Sequence, residues 1–437
     1  MLKIISVGTG TPDTLTLGAL GEISRAEKVI LQTDKVPVAE FLKEYGIKYE
    51  TIDDIFEAAE DFDELLRLVS KRVEEGVFCI LGDVFGNLIA QEVLKNHPQA
   101  QVVGGVGFFS NALNLCKLPC EGAQFFTASS FNDAYFETDK PVVVTEVDSP
   151  YKAADAALKL SRFTDGDVYV IFGQKVEKMN VCDINWLPDE AWSYNCAIVM
   201  PALGLKEKQA YTFRDLNEVM DVLRGENGCP WDKKQTHRTL RKYLLEEALE
   251  AVEAIDEEDD FALSDELGDV LFQIAFHARI GKEMSSFDNI DVTTDSCKKM
   301  IKRHTHIFGA EKINTADGVS ENWEKIKREE KQEKTVYDSV SDATTLSALM
   351  RAEKVLKKAA LYGIGENDIN NLKKKLVNDL GALLASAEAG NEKNAEKCGG
   401  ELLFDAVNYM RLLGLSAETA LYADIRDFLS YVKQSES

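Results

Sequence analysis

Short, nearly unbroken apolar runs punctuate the first two hundred residues: LKIISV at 2–7, VIL at 29–31, VFCIL at 77–81, QVV at 101–103, VVVT at 142–145 and VYVIF at 168–172. A stretch of helical periodicity at 17–26 falls between the first two. Short β-rich runs alternating with helices predict a mainly parallel sheet with crossover helices. Glycines at the ends of such strands mark where ligands approach the backbone. Further on the period changes. Leu245, Leu249, Val252 and Ile255 recur at helical spacing, and so do Leu267, Val270, Leu271 and Ile274. The two stripes flank DEEDD at 256–260 and predict an antiparallel hairpin of two helices. The stretch PALGLKEK at 201–208 is the expected connection between the two halves.

The hairpin also carries acids three apart, Glu247 with Glu250 and Glu266 with Asp269. That spacing puts each pair on one face of its helix, and the hairpin can bring the pairs together. Four converging carboxylates repel one another unless cations lie between them, and Mg²⁺, a hard ion bound by oxygen, is the natural candidate. Acids on helices are also the ordinary solvated face, and Glu247 and Glu250 lie away from the apolar stripe. Glu266 and Asp269 flank their stripe directly, with Gly268 between them. The pattern alone leaves both readings open.

The neighbouring motifs carry a family resemblance. ENGCPWDKKQTH at 226–237, EExxE at 246–250, ELGDVLFQ at 266–273, KRHTHIFG at 302–309 and NWEKIK at 322–327 occur in this order. The set closely resembles the MazG-type nucleotide pyrophosphohydrolases, with Thr305 where that family usually has Pro. The resemblance implies an all-α fold and Mg²⁺-dependent hydrolysis of nucleoside triphosphates, ribo or deoxy, to the monophosphate and pyrophosphate. It implies Glu247, Glu250, Glu266 and Asp269 as Mg²⁺ ligands and Glu246 as the residue orienting the water. Lys302, Arg303 and Lys327 become candidates for phosphate contact, against a plain reading as surface cations. Trp231 is open between a base-packing role and a core role, and His304 and His306 between phosphate contact and packing. A homodimer through the helical half is the expected assembly.

In the first half, Gly8-x-Gly10-x-x-Asp13, Gly82-Asp83 and GGVGFFSNA at 104–112 resemble the tetrapyrrole methylases, which bind S-adenosylmethionine between two α/β subdomains. Gly8, Gly10, Gly82, Asp83 and Val84 are the implied cofactor-binding positions. Thr11 and Pro12 depart from that family's GxGPGD pattern, and Val84 stands where it favours Pro. An alternative function is therefore a methyltransferase, or a module that binds S-adenosylmethionine and regulates the hydrolase. A methylase-like half followed by a MazG half resembles the YabN-like class over the whole chain. The expected architecture is multidomain: an α/β domain at 1–205, an all-α MazG-type domain at 210–335 and a degenerate second helical repeat at 344–433.

That repeat is visible as a shift of 132 residues. The shift lays Glu266 over Cys398, Asp269 over Glu401, and Glu246, Glu247 and Glu250 over Asn378, Asp379 and Ala382. The apolar framework Leu402, Leu403, Phe404 and Val407 is kept while much of the acid set is gone. A non-catalytic packing partner is expected there, preceded by an exposed helix and linker in the charge run 325–334.

Composition narrows the rest. At 437 residues the chain is too long for one ordinary core, and 45% hydrophobic residues exclude wholesale disorder. A formal charge of -25 disfavours binding to nucleic acid or anionic membranes, since nothing would draw it to phosphate backbones. The absence of a long apolar run or signal pattern points to a soluble, cytoplasmic protein. Cysteines at 79, 116, 120, 182, 196, 229, 297 and 398 have no paired metal spacing and read as reduced structural thiols.

Overall fold

The computed structural model describes residues 1–119, 121–132, 136–310, 312–330, 335–341 and 347–435. Cys120, the end of the 325–334 charge run and residues 344–346 of the expected second repeat lie outside them. The chain divides into two compact units, Met1–Asn289 and Ile290–Ser437.

The first unit opens with β1 (Leu2–Ser6), β2 (Val29–Leu31), β3 (Glu50–Thr51), β4 (Gly76–Ile80) and β5 (Gln101–Val103). Helices α1 (Leu17–Ser24), α2 (Pro37–Glu44), α3 (Asp53–Ala58), α4 (Phe62–Arg72) and α5 (Leu88–Asn96) connect them. The five strands form a sheet of order β3-β2-β4-β1-β5 in which every pairing is parallel. Both faces are covered, which is why its strands read as continuous apolar runs. Leu2 and Ile4 join Ile30 and Phe78 on one face; Ile5 joins Leu31 and Cys79 on the other. Ile4 and Phe78 are fully enclosed, and each such side chain contributes roughly 1.5–3 kcal/mol.

A second sheet follows from β6 (Gln124–Thr127), β7 (Val142–Thr145), β8 (Asp167–Phe172), β9 (Lys175–Asn180) and β10 (Cys196–Met200), in the order β6-β7-β10-β8-β9. Here the expectation of a mainly parallel sheet fails. Only β6 and β7 run parallel; β10 pairs antiparallel with β7 and β8, and β8 with β9. The two-residue turn between Phe172 and Lys175 forces a hairpin, since a parallel crossover needs a dozen or more residues. Strand β9 reads KVEKMN, too polar to register as a strand in the sequence. Helices α6 (Phe108–Cys116) and α7 (Pro150–Ser161) cover the two faces, through Ala112 and Cys116 on one side and Ala153, Ala156 and Leu160 on the other.

The expected connection at 201–208 is pinned to the α/β body. Leu203 N–H donates to the Thr138 carbonyl at 2.7 Å, and Gln209 N–H to that of Phe163 at 2.9 Å. Lys208 Nζ is buried 2.6 Å from Asp215 Oδ1. Asp215 also accepts from Thr212, whose side chain caps α8 (Phe213–Leu223) in a capping box. Burial raises the Asp215 pKa, but Lys208 and Thr212 together hold it below the usual carboxylate range. The unit then continues into α9 (His237–Asp256) and α10 (Asp260–Glu283).

The second unit contains α11 (Asn289–Arg303), α12 (Thr305–Phe308), α13 (Ala316–Glu330), α14 (Val336–Ser341), α15 (Ala348–Ala360), α16 (Ile369–Glu388), α17 (Glu392–Leu412) and α18 (Ala417–Ser435). The hairpin α16–α17 repeats α9–α10 in register. Ile369, Glu388 and Glu392 bound it where His237, Asp256 and Asp260 bound the first. Left-handed Gly390 and the cap Asn391 stand where Glu258 and the cap Asp259 do. Among the described residues no helix is long and apolar enough to cross a membrane.

Candidate active site

Helix α9 begins at a capping box, Thr236 with Thr239, and ends at the acidic connection. Three of those acids build the turn. Glu257 closes α9, Glu258 takes the left-handed conformation, and Asp259 caps α10 by accepting from Phe261 N–H and Ala262 N–H at 3.0 Å. The resulting hairpin is antiparallel, as its short connection predicts.

It gathers the acids. Carboxylate oxygens of Glu247, Glu266 and Asp269 lie within 4.8 Å of one another. Glu250 stands within hydrogen-bonding reach of both Glu247 and Glu266, and its charge acts on each. Partial burial, then the Glu250 contact and the charges of Asp269, Glu250 and Glu246, push the Glu247 carboxyl up to about 7. The Glu266 carboxyl is raised too, by lost hydration first and then by Glu250, Asp265 and Asp269. Among the described residues none of the four acids pairs with Lys, Arg or His. An oxygen-only, anionic and uncompensated donor set fits a hard divalent cation. Glu246 is exposed beside Glu247.

The apolar stripes do not become the core of the hairpin. Leu245, Ile255 and Leu267 are all more than half exposed. The buried cluster is instead Leu240, Ala275, Phe276 and Ile280 with Met220 of α8, toward the end away from the turn. Among the described residues of the first unit, α8 is the helix that joins this cluster, and it covers only the end away from the turn.

Beyond the acids the sequence signal is weaker. Gln273, one turn past Asp269, is buried with its Oε1 unpartnered. His277 meets His237, Nδ1 to Nδ1 at 2.7 Å. Arg224 Nη1 donates to the carbonyls of Asp232 and Gln235, and the same guanidinium binds Glu283 at 2.7 and 2.9 Å. It thereby fastens the ENGCPWDKKQTH segment to the end of α10. Arg224, Gln273 and the histidine pair were not among the expected site residues; His237 and Gln273 close two of the motifs, Arg224 and His277 lie just outside them, and none belongs to an acid pattern. Trp231 is 54% exposed, which removes the core reading for it.

Lys302, Arg303 and Lys327 belong to the second unit. Arg303 is held by Glu330 at 2.7 Å and lies over the Trp323 ring at 5.5 Å; Lys302 shares Glu330 at 3.4 Å, and Lys327 pairs with Glu324 at 3.0 Å. His304 meets Trp323 edge-on at 4.9 Å. Thr305, in place of Pro, starts α12 and accepts from Asn322 Nδ2 at 2.9 Å. KRHTHIFG and NWEKIK therefore pack on each other.

In the α/β part, a cavity of about 680 Å³ is lined by Gln32, Asp83, Phe108, Phe125, Glu146 and Tyr194 among others. Of the five expected cofactor positions, Asp83 alone lines it. Gly8 and Gly82 are left-handed and closely packed: a Cβ would lie 2.3 Å from Thr14 Oγ1 in one case and 2.5 Å from the Phe108 ring in the other. Gly10 faces Tyr194, and Val84 is buried. Glu146 adopts a φ of 58° directly after β7, a strained conformation of the kind that clusters at ligand sites. The Tyr194 hydroxyl is buried without a partner.

The fold and the acid cluster define a class: an N-terminal α/β domain followed by a helical part whose hairpin presents clustered carboxylates. The family model of the MazG nucleotide pyrophosphohydrolase domain matches residues 235–308. The uncharacterized protein YabN of Bacillus subtilis is 30% identical over 96% of this chain and 90% of its own length. The Thermotoga maritima nucleoside triphosphate pyrophosphohydrolase/pyrophosphatase MazG is 37% identical over 51% of this chain and 85% of its own. A cobalt precorrin-4 methyltransferase structure aligns over 45% of this chain and 93% of its own, at 16% identity and a TM-score of 0.35. The chain belongs to the family of YabN, and its MazG-domain match lies in the helical part that follows the α/β domain.

Proposed function

We propose that the chain hydrolyses nucleoside triphosphates, ribo or deoxy, to the monophosphate and pyrophosphate. The observation that carries this reading is the convergence of Glu247, Glu266 and Asp269 on one hairpin, uncompensated by any basic partner among the described residues. The relatives named nucleoside triphosphate pyrophosphohydrolases support it. Glu247, Glu250, Glu266 and Asp269 would hold Mg²⁺. When bound, Mg²⁺ screens phosphate charge and acidifies bound water. The protein's own part is separate. Glu246, exposed beside the cluster, orients the attacking water and accepts its proton on a carboxylate oxygen. Trp231, exposed on the Arg224-fastened segment, offers a ring face to the base. Incubation with a panel of NTPs and dNTPs plus Mg²⁺ should release monophosphate and pyrophosphate in equal amounts. Release of orthophosphate and diphosphate instead, or no turnover of any nucleotide, would overturn the assignment.

The exposed leucines of α9 and α10 support a homodimer through the helical half, with a second copy covering Leu245, Ile255 and Leu267. For the α/β domain we propose S-adenosylmethionine binding in the 680 Å³ cavity. The unpartnered Tyr194 hydroxyl and Asp83 at its wall support this. The bound cofactor serves regulation or methyl transfer. Calorimetry on the full chain should show S-adenosylmethionine or its demethylated product binding, and Asp83→Ala should weaken it; absence of heat at millimolar ligand would rule it out.

A further inference from the structure

The cavity of the α/β domain has a charge pattern that its size does not account for. Its 680 Å³ falls within the roughly 300–1,000 Å³ of small-molecule sites. Phe56, Phe62, Phe109 and Phe125 supply ring surface, the last two with centroids 4.9 Å apart. Three carboxylates, those of Asp83, Glu146 and Asp148, share the wall with a single cation, Lys152.

The three acids are not equivalent. Asp148 Oδ2 is taken by Lys152 Nζ at 2.8 Å. Asp83 lies against the start of α6: a Cβ on the N-cap residue Gly107 would fall 1.8 Å from Asp83 Oδ2. The positive end of that helix offsets part of its charge. Glu146 has neither kind of support. Among the described residues no hydrogen bond or ion pair holds its carboxylate; burial raises its pKa, the Lys152 charge lowers it and Asp148 raises it. It is also the residue held at a φ of 58°. Glycine would adopt that conformation without strain, so a glutamate there points to a use for the side chain. An unpartnered carboxylate in a cavity with aromatic walls is stabilised by a cation. Their attraction strengthens as water is excluded, and ring faces favour positive charge.

We propose that this cavity selects its ligand by positive charge, with Glu146 as the specificity-determining residue. S-adenosylmethionine, a sulfonium cation, then binds in preference to S-adenosylhomocysteine, in which that charge is gone. The domain thereby distinguishes the methyl donor from its spent form, although the two share the same nucleoside and amino-acid parts. The inference rests on the reading of this cavity as the cofactor site.

Calorimetry on the full chain at pH 7.5 tests it with three probes: S-adenosylmethionine, S-adenosylhomocysteine and sinefungin, in which an ammonium replaces the sulfonium. The parent should bind the two cations at least ~10-fold more tightly than S-adenosylhomocysteine. Glu146→Gln should weaken both cations to the level of S-adenosylhomocysteine and leave the latter within about twofold of the parent. Equal affinity of the parent for all three, or an equal loss of all three in the variant, overturns the proposal. If the Gln variant does not fold, Glu146→Gly, suited to the left-handed backbone, carries the same expectation. If neither folds, Glu146 serves the fold and the proposal fails. No heat from any probe removes the cofactor reading and this inference with it, whereas equal affinities remove the inference and leave that reading in place.

Discussion

Glu247 concentrates the electrostatics of the site. Its carboxyl, pushed up to about 7, favours the neutral form in the fold, whereas the unfolded chain titrates near the ordinary 4.5. A raised acid contributes stability that is complete below the unfolded value and lost as pH rises through the folded one. Metal-free protein should therefore lose stability as pH rises from about 4.5 to about 7, and Glu247→Gln should lose less. After discounting for solvent screening the effect is on the order of 1 kcal/mol, or about 2–4 °C in the unfolding midpoint. Scanning calorimetry in chelator at both pH values measures it; equal pH dependence in parent and variant would refute the crowding. The same substitution, or Glu266→Gln, should cut pyrophosphate release at least ~100-fold, as expected when an activating metal is lost. Near-normal release by both would remove the metal assignment.

At the scale of elements, the buried Arg224 is the clasp between α10 and the segment that presents Trp231. Its side chain is 5% exposed, so removing Glu283 leaves a guanidinium short of its counter-charge. Glu283→Ala should cost about 3 kcal/mol, at the low end for a broken buried pair because Glu283 itself is partly open. The Arg224 hydrogen bond holds the Glu283 carboxyl below its usual range. Its contribution is present above pH ~4.5 and lost as pH falls through the folded value. Hydrogen exchange across residues 226–237 should accelerate in the Ala variant, and unchanged protection would show that other contacts hold the segment. The second hairpin predicts the opposite kind of result. Asp379→Ala with Glu401→Ala should leave turnover within about threefold of the parent, well under the ~1.4 kcal/mol of a tenfold effect. A folded double variant that had lost most of its activity would place this hairpin in the active site.

Across the whole molecule, α9 and α10 leave Leu245, Ile255, Phe261 and Leu267 more than half exposed, apolar surface that a second copy would cover. Leu245→Glu with Leu267→Glu should shift the sedimentation of the full chain from dimer to monomer while leaving the helical circular dichroism intact. A parent that already sediments as a monomer would leave that face uncovered and defeat the dimer. What the sequence determined by itself was local and periodic. The parallel strands were legible because a sheet buried on both faces needs unbroken apolar runs, as at Ile4, Ile5 and Phe78. The acid pairs were legible because helical spacing alone puts Glu247 beside Glu250 and Glu266 beside Asp269. The repeat was legible because Leu402, Leu403, Phe404 and Val407 keep the apolar framework at a shift of 132 residues. Tertiary structure decided the rest, because it depends on which elements meet. Polar β9 became a strand only by pairing with β8. Leu245 and Leu267 stayed outside because, among the described residues of the first unit, the cluster shared with α8 forms at the end of the hairpin away from the turn. The cavity took Asp83, Glu146 and Tyr194 from three distant stretches of chain, a meeting that no spacing in the sequence records.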